Sequence, residues 1–324
     1  MATYKGIQGY SVQKLSDDPT ASEAEGQLWY NSGTGKFKIS VAGAGAWASG
    51  TPLNTARQYL CGTNLGTQTA ALMTGGTTTA PTELWNGSTW TEILDPGTPR
   101  SKASGMGITT AFLLAGGDVV TGSPGAINKT ETWDGTSWSE VNPLNDTRYN
   151  MGEFGSSTSA TVAGGQSPGA TNAAESWDGT SWAAITVLNA PAFELAGAGL
   201  VSTAGIMFGG RTTVANTEKW DGTTWTEVNN LNTGRCDLAG SGSSTSALSY
   251  GGTPPSPAAQ TTSTESWDGT SWTAVASLAN GQWASEGVGP SLAAMLCGGT
   301  SVPGVSALVE EWTVPDATKT FTAS

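Results

Sequence analysis

Histidine is absent from all 324 residues, and that absence closes several chemistries at once. Without an imidazole there is no Ser-His-Asp relay, no usual neutral-pH base and few of the ordinary zinc or copper sites. Cysteine is scarce. Cys61, Cys236 and Cys297 fall in no metal-ligand spacing and are expected to be buried, unpaired thiols rather than a disulfide framework. Apolar runs long enough to span a bilayer are missing, and the opening Met-Ala-Thr-Tyr-Lys lacks the apolar core of a signal peptide. Folding in a reducing cytoplasm is the expectation. No phosphate-cradling loop or dinucleotide fingerprint precedes a helix-length pattern. The Asp-Gly turns lack the convergent oxygens of a dedicated calcium site, so neither a metal nor a cofactor is expected.

Charge is also sparse, and what there is leans one way. Charged residues make up 12% of the chain, with 13 Lys and Arg against 26 Asp and Glu, for a formal net charge of -13. Phosphate backbones and anionic membrane surfaces would be repelled, so neither nucleic acid nor membrane is an expected partner. In residues 1–42, Lys5, Lys14, Lys36 and Lys38 balance Asp17, Asp18, Glu23 and Glu25, so the whole excess lies beyond them. A chain this poor in charge and rich in small residues can be disordered. Here 14 tryptophans at regular intervals supply large buried anchors, which points to an ordered all-β protein.

Those tryptophans carry a repeat. Trp85-Asn86-Gly87-Ser88-Thr89-Trp90 is followed by Trp-Asp-Gly-Thr-Ser-Trp from Trp133, Trp177 and Trp267, and by a Thr-for-Ser version from Trp220. A degenerate sixth copy stands at Glu310-Glu311-Trp312. A Gly-Gly pair precedes each copy, at 75–76, 116–117, 164–165, 209–210, 251–252 and 298–299. A period of roughly 40 to 50 residues is the signature of a propeller or a similar array.

Residues 148–185 show how one unit is laid out. A small-residue strand runs to about Gly155, a second covers 159–163, a third 174–177 and a fourth 182–185. Asp178-Gly179 offers the side-chain cap and positive φ of a tight hairpin. Four antiparallel strands make one propeller blade. From Arg100, Arg148, Phe193, Arg235 and Gln282 to the first Gly of the next pair is 16 positions; from Arg57 it is 18, which gives the first blade a longer inner hairpin.

Blade six lacks a second Trp after Trp312. Trp47 supplies it: it precedes Arg57 by ten positions, as Trp90, Trp138 and Trp225 precede their arginines. Residues 45–50 therefore form the outer strand of the last blade, and a six-bladed ring closed by N-terminal sequence removes exposed edges. The expected division is an N-terminal arm and hairpin over 1–42, the propeller over 43–316 and a C-terminal tail over 317–324.

Gly-Gly, a Glu two before an aromatic and a Trp about six residues later resemble the kelch repeat, over residues 45 to about 314. The resemblance implies a fold more than a function, because kelch-like propellers serve as scaffolds, lectin-like binders and, rarely, oxidases. A copper oxidase would need histidine ligands. The WDGTSW turn resembles the Asp-box of sialidases, with the residue between Asp and Gly missing.

Ahead of the ring, Tyr4-Lys5-Gly6-Ile7-Gln8-Gly9-Tyr10-Ser11-Val12-Gln13-Lys14-Leu15 reads as an extended arm. A hairpin over 28–39 follows an acidic linker. The two together are similar to an N-terminal module of structural proteins from marine tailed bacteriophages. The resemblance implies a virion component, present in multiple copies and assembled in the host cytoplasm. Its arm would dock on other virion proteins through Tyr4, Ile7, Tyr10, Val12, Leu15, Trp29, Tyr30 and Phe37. In the other reading the hairpin packs on the ring as an elaborated strand.

Within the repeats, Arg57, Arg100, Arg148 and Arg235 recur where inner strands begin. They are either a basic ring at a channel mouth that captures carboxylates or an internal salt bridge or carbonyl clamp to the adjacent blade. Periodic placement favours clamps, because structural repeats repeat structural residues. Glu83, Glu131, Glu175, Glu218, Glu265 and Glu310 recur two positions before each third-strand Trp and suit the partner role. Glu153, Glu194, Asp237 and Glu286 do not repeat, and they fall in inner strands where they could line a channel. A glycosidase needs two carboxylates about 5–10 Å apart. The loops between second and third strands vary in length and hold almost no aromatic residues, unlike a typical lectin site. The expectation is a non-enzymatic virion structural or decoration protein, at tail, fibre or capsid. The alternative is a module that binds or cleaves host-surface glycans.

Overall fold

The computed structural model describes residues 12–19, 28–77, 81–120, 125–211, 215–254 and 259–321. Among them there is no helix, hence none long and apolar enough to cross a membrane. The chain divides into two compact units, residues 46–313 and residues 1–45 with 314–324.

The larger unit contains six four-stranded antiparallel sheets. Blade 1 is Cys61–Gly62, Ala71–Thr74, Thr82–Trp85 and Trp90–Ile93. Blade 2 is Ser104–Ile108, Ala111–Ala115, Thr130–Trp133 and Trp138–Val141, and blade 3 is Gly152–Ser156, Ser159–Ala163, Ala174–Trp177 and Trp182–Ile185. Blade 4 is Leu195–Val201, Ala204–Gly209, Thr217–Trp220 and Trp225–Glu227, and blade 5 is Ala239–Ser243, Ser246–Tyr250, Thr264–Trp267 and Trp272–Val275. Blade 6 takes Glu286–Val288, Ala293–Cys297 and Val309–Thr313, with Ala46–Ser49 as its outer strand. Inner strands neighbour one another in cyclic order, and that of blade 6 meets that of blade 1. The fold is a β-propeller.

Each tryptophan pair faces across the third and fourth strands with ring centroids 5.1–5.5 Å apart. The sixth pair is Trp312 against Trp47, directly opposite in register, so the two ends of the ring sequence share one sheet. The two indoles divide the work. The first donates to the strand 1–2 turn of its own blade, as Trp177 does to the Ser157 carbonyl at 3.0 Å. The second reaches the preceding blade: Trp182 donates to Thr130 Oγ1 at 3.0 Å, Trp272 to Thr217 Oγ1 at 3.1 Å and Trp47 to Thr264 Oγ1 at 3.0 Å. The apolar core lies between blades, where for example Met106, Leu113 and Ala115 of blade 2 pack on Val162, Trp177 and Trp182 of blade 3.

The tight turns follow their sequence. In blade 3, Asp178 Oδ1 accepts the Thr180 and Ser181 amides, both at 2.8 Å, while Gly179 takes a φ of +95°. The Gly-Gly pairs form the seams. Gly116 (φ +64°) lies where a Cβ would stand 2.5 Å from the Arg148 carbonyl, and Gly117 donates to that same oxygen at 2.8 Å. Cys61, Cys236 and Cys297 are buried and unpaired.

Blade 4 corrects the repeat alignment. The carbonyl that receives the Gly165 amide belongs to Ala192, so Ala192 and not Phe193 stands where the other blades carry Arg57, Arg100, Arg148 and Arg235. Its distance to Gly209 is 17 positions, and the extra residue is absorbed by a bulge between Ala198 and Val201.

The smaller unit is one four-stranded sheet in the order Gln13–Leu15, Leu28–Asn31, Lys36–Ala42, Asp316–Thr320. The hairpin stands where the sequence places it. The last segment is not a separate tail, however: Asp316–Thr320 pairs antiparallel with Lys36–Ala42, filling an edge that the hairpin would otherwise leave unpaired. Asp18 ties the linker down, accepting from Lys38 Nζ at 2.5 Å, Asn31 Nδ2 at 2.7 Å and Trp29 Nε1 at 3.2 Å.

Candidate functional site

Six residues, one per blade, hold the axis together. Tyr59, Lys102, Asn150, Glu194, Asp237 and Ala284 all adopt φ between +51° and +58°. Each donates its amide to the carbonyl of the equivalent residue in the preceding blade, at 2.8–3.0 Å, and Tyr59 donates to Ala284 to complete the circle. Left-handed backbone costs on the order of 1–3 kcal/mol per non-glycine residue, so the closed circle of bonds must over-determine it. This circle surrounds a cavity of about 90 Å³.

The far end is blocked by Asn64. Its Nδ2 donates to the Gly155 carbonyl of blade 3 at 2.9 Å, and its Oδ1 accepts the Gly107 amide of blade 2 at 2.8 Å. Its own carbonyl accepts the amide of Gly289, in the first hairpin turn of blade 6. The longer inner hairpin of blade 1 thus supplies a plug that joins four blades. The cavity is a blind cup, opening where inner strands begin.

Inside the cup stand the non-repeating acids. Glu153 takes a position that is glycine in the other blades (Gly62, Gly105, Gly197, Gly240 and Gly287) and accepts from Ser104 Oγ at 3.2 Å. Burial pushes its carboxyl up to about 8. Glu286 is raised well above the ordinary range, by burial first and the Glu153 charge second. Asp237 is pushed to about 8 by burial and by Glu194. Arg211 bridges the rim, its Nε to Glu194 at 2.5 Å and an Nη to Asp237 at 3.3 Å. Glu194, Cys236 and Asp237 form the one grouping of metal-type donors among the described residues, but Arg211 already supplies the positive charge there.

Aromatic residues crowd the same mouth. The Lys102 ammonium lies 4.8 Å from the Tyr59 ring centroid and 5.3 Å from that of Tyr149, and Trp283 meets Tyr59 edge-on at 5.8 Å. The sequence pattern hides this group, because the loops hold few aromatics and these sit one or two residues past the repeating arginine position. Comparing that column across blades would have exposed them.

The repeating arginines are not a channel-mouth site. Arg57, Arg100, Arg148 and Arg235 are 0–1% exposed and pair with Glu83, Glu131, Glu175 and Glu265 of their own blades. Each also donates to third-strand approach carbonyls, as Arg148 does to Ala173 at 2.8 Å. Planar forks matched to carboxylate and carbonyl oxygens explain the clamp. Gln282 replaces the arginine in blade 6, and its amide has no partner among the described residues.

Of the residues expected to dock, Tyr4, Ile7 and Tyr10 lie outside the described residues. Val12 is exposed and Leu15 is half-buried in its short strand. Trp29 is 2% exposed, and its Nε1 donates to Asp18 at 3.2 Å. Tyr30 and Phe37 are half-buried and face each other across the hairpin with centroids 5.1 Å apart.

No family model matches the sequence, and no curated protein matches it. Among solved structures, the one titled "Structure of YjhT" is similar at a TM-score of 0.69 and 12% identity, covering 83% of this chain and 99% of that one. It is a β-propeller of kelch-like fold. At this identity the likeness speaks for the fold alone.

Proposed function

We propose that the protein is a non-enzymatic virion component that presents a rigid propeller and attaches to other virion proteins through the small unit. The observation that carries this reading is the division of labour in the chain. The ring closes on its own residues 46–313, while the segments similar to a phage structural module form a separate sheet with the C-terminal strand. The cup on the axis holds about 90 Å³, against the roughly 300–1,000 Å³ of small-molecule sites, so the acids inside it have little room for a substrate. Immunogold labelling of particles from the source lysate tests it, with antibody raised against the full chain. Label at one fixed place on the particle is the expected result; label confined to the soluble fraction would sink the proposal.

A second reading has its own support in the aromatic mouth. Tyr59, Tyr149 and Trp283, beside Lys102, Asn150 and Arg211, offer the flat apolar faces and polar edges that host-surface sugars require. Glycan-array binding by the full chain, lost in Tyr149→Ala and Trp283→Ala, would establish that role; an empty array would remove it.

A further inference from the structure

The mouth face of the ring carries a second hollow besides the cup. Asp118, Gly125 and Ala126, from the loop after the second strand of blade 2, face Ser167 and Pro168 from the same loop of blade 3. With Tyr149 they line a groove of about 510 Å³. That size falls within the roughly 300–1,000 Å³ of small-molecule sites, which the cup at about 90 Å³ does not reach. Its walls are held by backbone pairing. Asp118–Val119 pairs antiparallel with Arg100–Ser101, and Ala126 bridges back to Asp118. On the other wall Tyr149 and Gln166 exchange backbone hydrogen bonds at 3.4 and 3.0 Å, and the Ser167 amide donates to the Gly169 carbonyl at 2.9 Å. A groove built in advance spares a ligand the cost of ordering it.

Tyr149 is not demanded by the blade. The residues at its place in the other blades are Gln58, Ser101, Phe193, Cys236 and Trp283, whereas structural positions of a repeat recur. Its ring is braced by the Lys102 ammonium, 5.3 Å from the centroid. A pyranose lays its C–H face on such a ring and turns its hydroxyls to the edges. Asp118 offers those hydroxyls two acceptor oxygens. The Ser167 hydroxyl, 2.9 Å from Thr147 Oγ1, keeps capacity for a further hydrogen bond. Asp118 is also the one charged residue in the lining, so a sugar that bears a carboxylate would be repelled.

We propose that the groove between blades 2 and 3 binds an uncharged pyranose, stacked on Tyr149 and hydrogen-bonded to Asp118 and Ser167. The proposal rests on the glycan-binding reading above and narrows it to one subsite and one class of sugar. The test is an array probed with the full chain, carrying hexose- and N-acetylhexosamine-terminated glycans beside sialylated and uronic-acid ones. Binding should be confined to the uncharged termini. Titration of the best-bound glycan should then show a loss of about tenfold or more in Asp118→Ala, which removes the acceptor. Ala126→Trp, which fills the groove, should cause a similar loss, and an unchanged melting midpoint shows that each variant is folded. Binding only to acidic glycans, or an affinity that Asp118→Ala leaves unchanged while Trp283→Ala abolishes it, would overturn this proposal and leave the glycan reading standing. An empty array would overturn both.

Discussion

Blades 3 and 4 are neighbours with the same strand order, the same Trp pair and the same Asp-Gly turn, yet they solve one problem differently. In blade 3 the Glu175 carboxylate holds the Asn145 amide on one oxygen, at 2.9 Å, and Arg148 on the other, at 2.5 Å. In blade 4 Glu218 keeps the asparagine and has lost the arginine. The acid is therefore the fixed part of the clamp and the cation the exchangeable part. The carboxylate anchors the chain as it enters each blade, accepting the Asn145 amide in blade 3 and the Asn189 amide in blade 4. The two blades differ again on the axis, where Glu153 of blade 3 faces the cup and blade 4 has Gly197.

The sharpest break of this comparison is Arg148→Ala. It should leave Glu175 buried without a counter-charge and cost about 3–5 kcal/mol in denaturant unfolding. A loss below about 1 kcal/mol would mean that blade 3 behaves like blade 4 and that the clamp is dispensable. Adding Glu175→Gln to that variant should recover part of the loss, because the uncompensated charge goes with it. No recovery would assign the cost to lost packing instead.

The axial difference predicts a pH effect. Glu153 is raised to about 8, so the folded state holds a proton that the unfolded chain releases near the usual glutamate range. Stability should therefore fall as pH rises from about 5 to about 8, and be fully present below that window. Glu153→Gln should flatten this decline and raise the midpoint at pH 8 while changing little at pH 5. An unchanged pH profile would show that Glu153 titrates normally.

The smallest effect belongs to a feature that the two blades share. Asp178 and Asp221 are held below the usual aspartate range, first by the amides of Ser181 and Thr224 and then by those of Thr180 and Thr223. Their contribution is present above the ordinary aspartate pKa and disappears as pH drops below it. Asp178→Ala should lower the melting midpoint slightly at pH 7 and not at all near pH 2. Equal losses at both pH values would point to the turn backbone rather than the carboxylate.

Much of the ring was legible because its determinants are local and repeated. Trp-Asp-Gly-Thr-Ser-Trp encodes a turn and two facing indoles, and Trp47 could be matched to Trp312 by spacing alone. The clamp was half-legible: recurring Arg and Glu implied each other, but burial decided between a clamp and an anion site. The Phe193 alignment missed by one residue because a bulge changes a count without changing a motif. The docking role of Trp29 follows from the resemblance of its segment to a phage module, which carries no information on burial; in the fold its indole is buried and donates to Asp18.

By itself, then, the sequence determined the blade, the number of blades and how the ring closes, because hairpin turns and tryptophan pairs depend on residues a few positions apart. Only the tertiary structure decided what lies on the axis. Asn64 as a plug, the six left-handed residues bonded in a circle, Glu153 beside Glu286 and the aromatic mouth come from different blades, up to some two hundred residues apart. No short-range pattern records them; they exist because closing the ring brings six separate inner strands around a single axis.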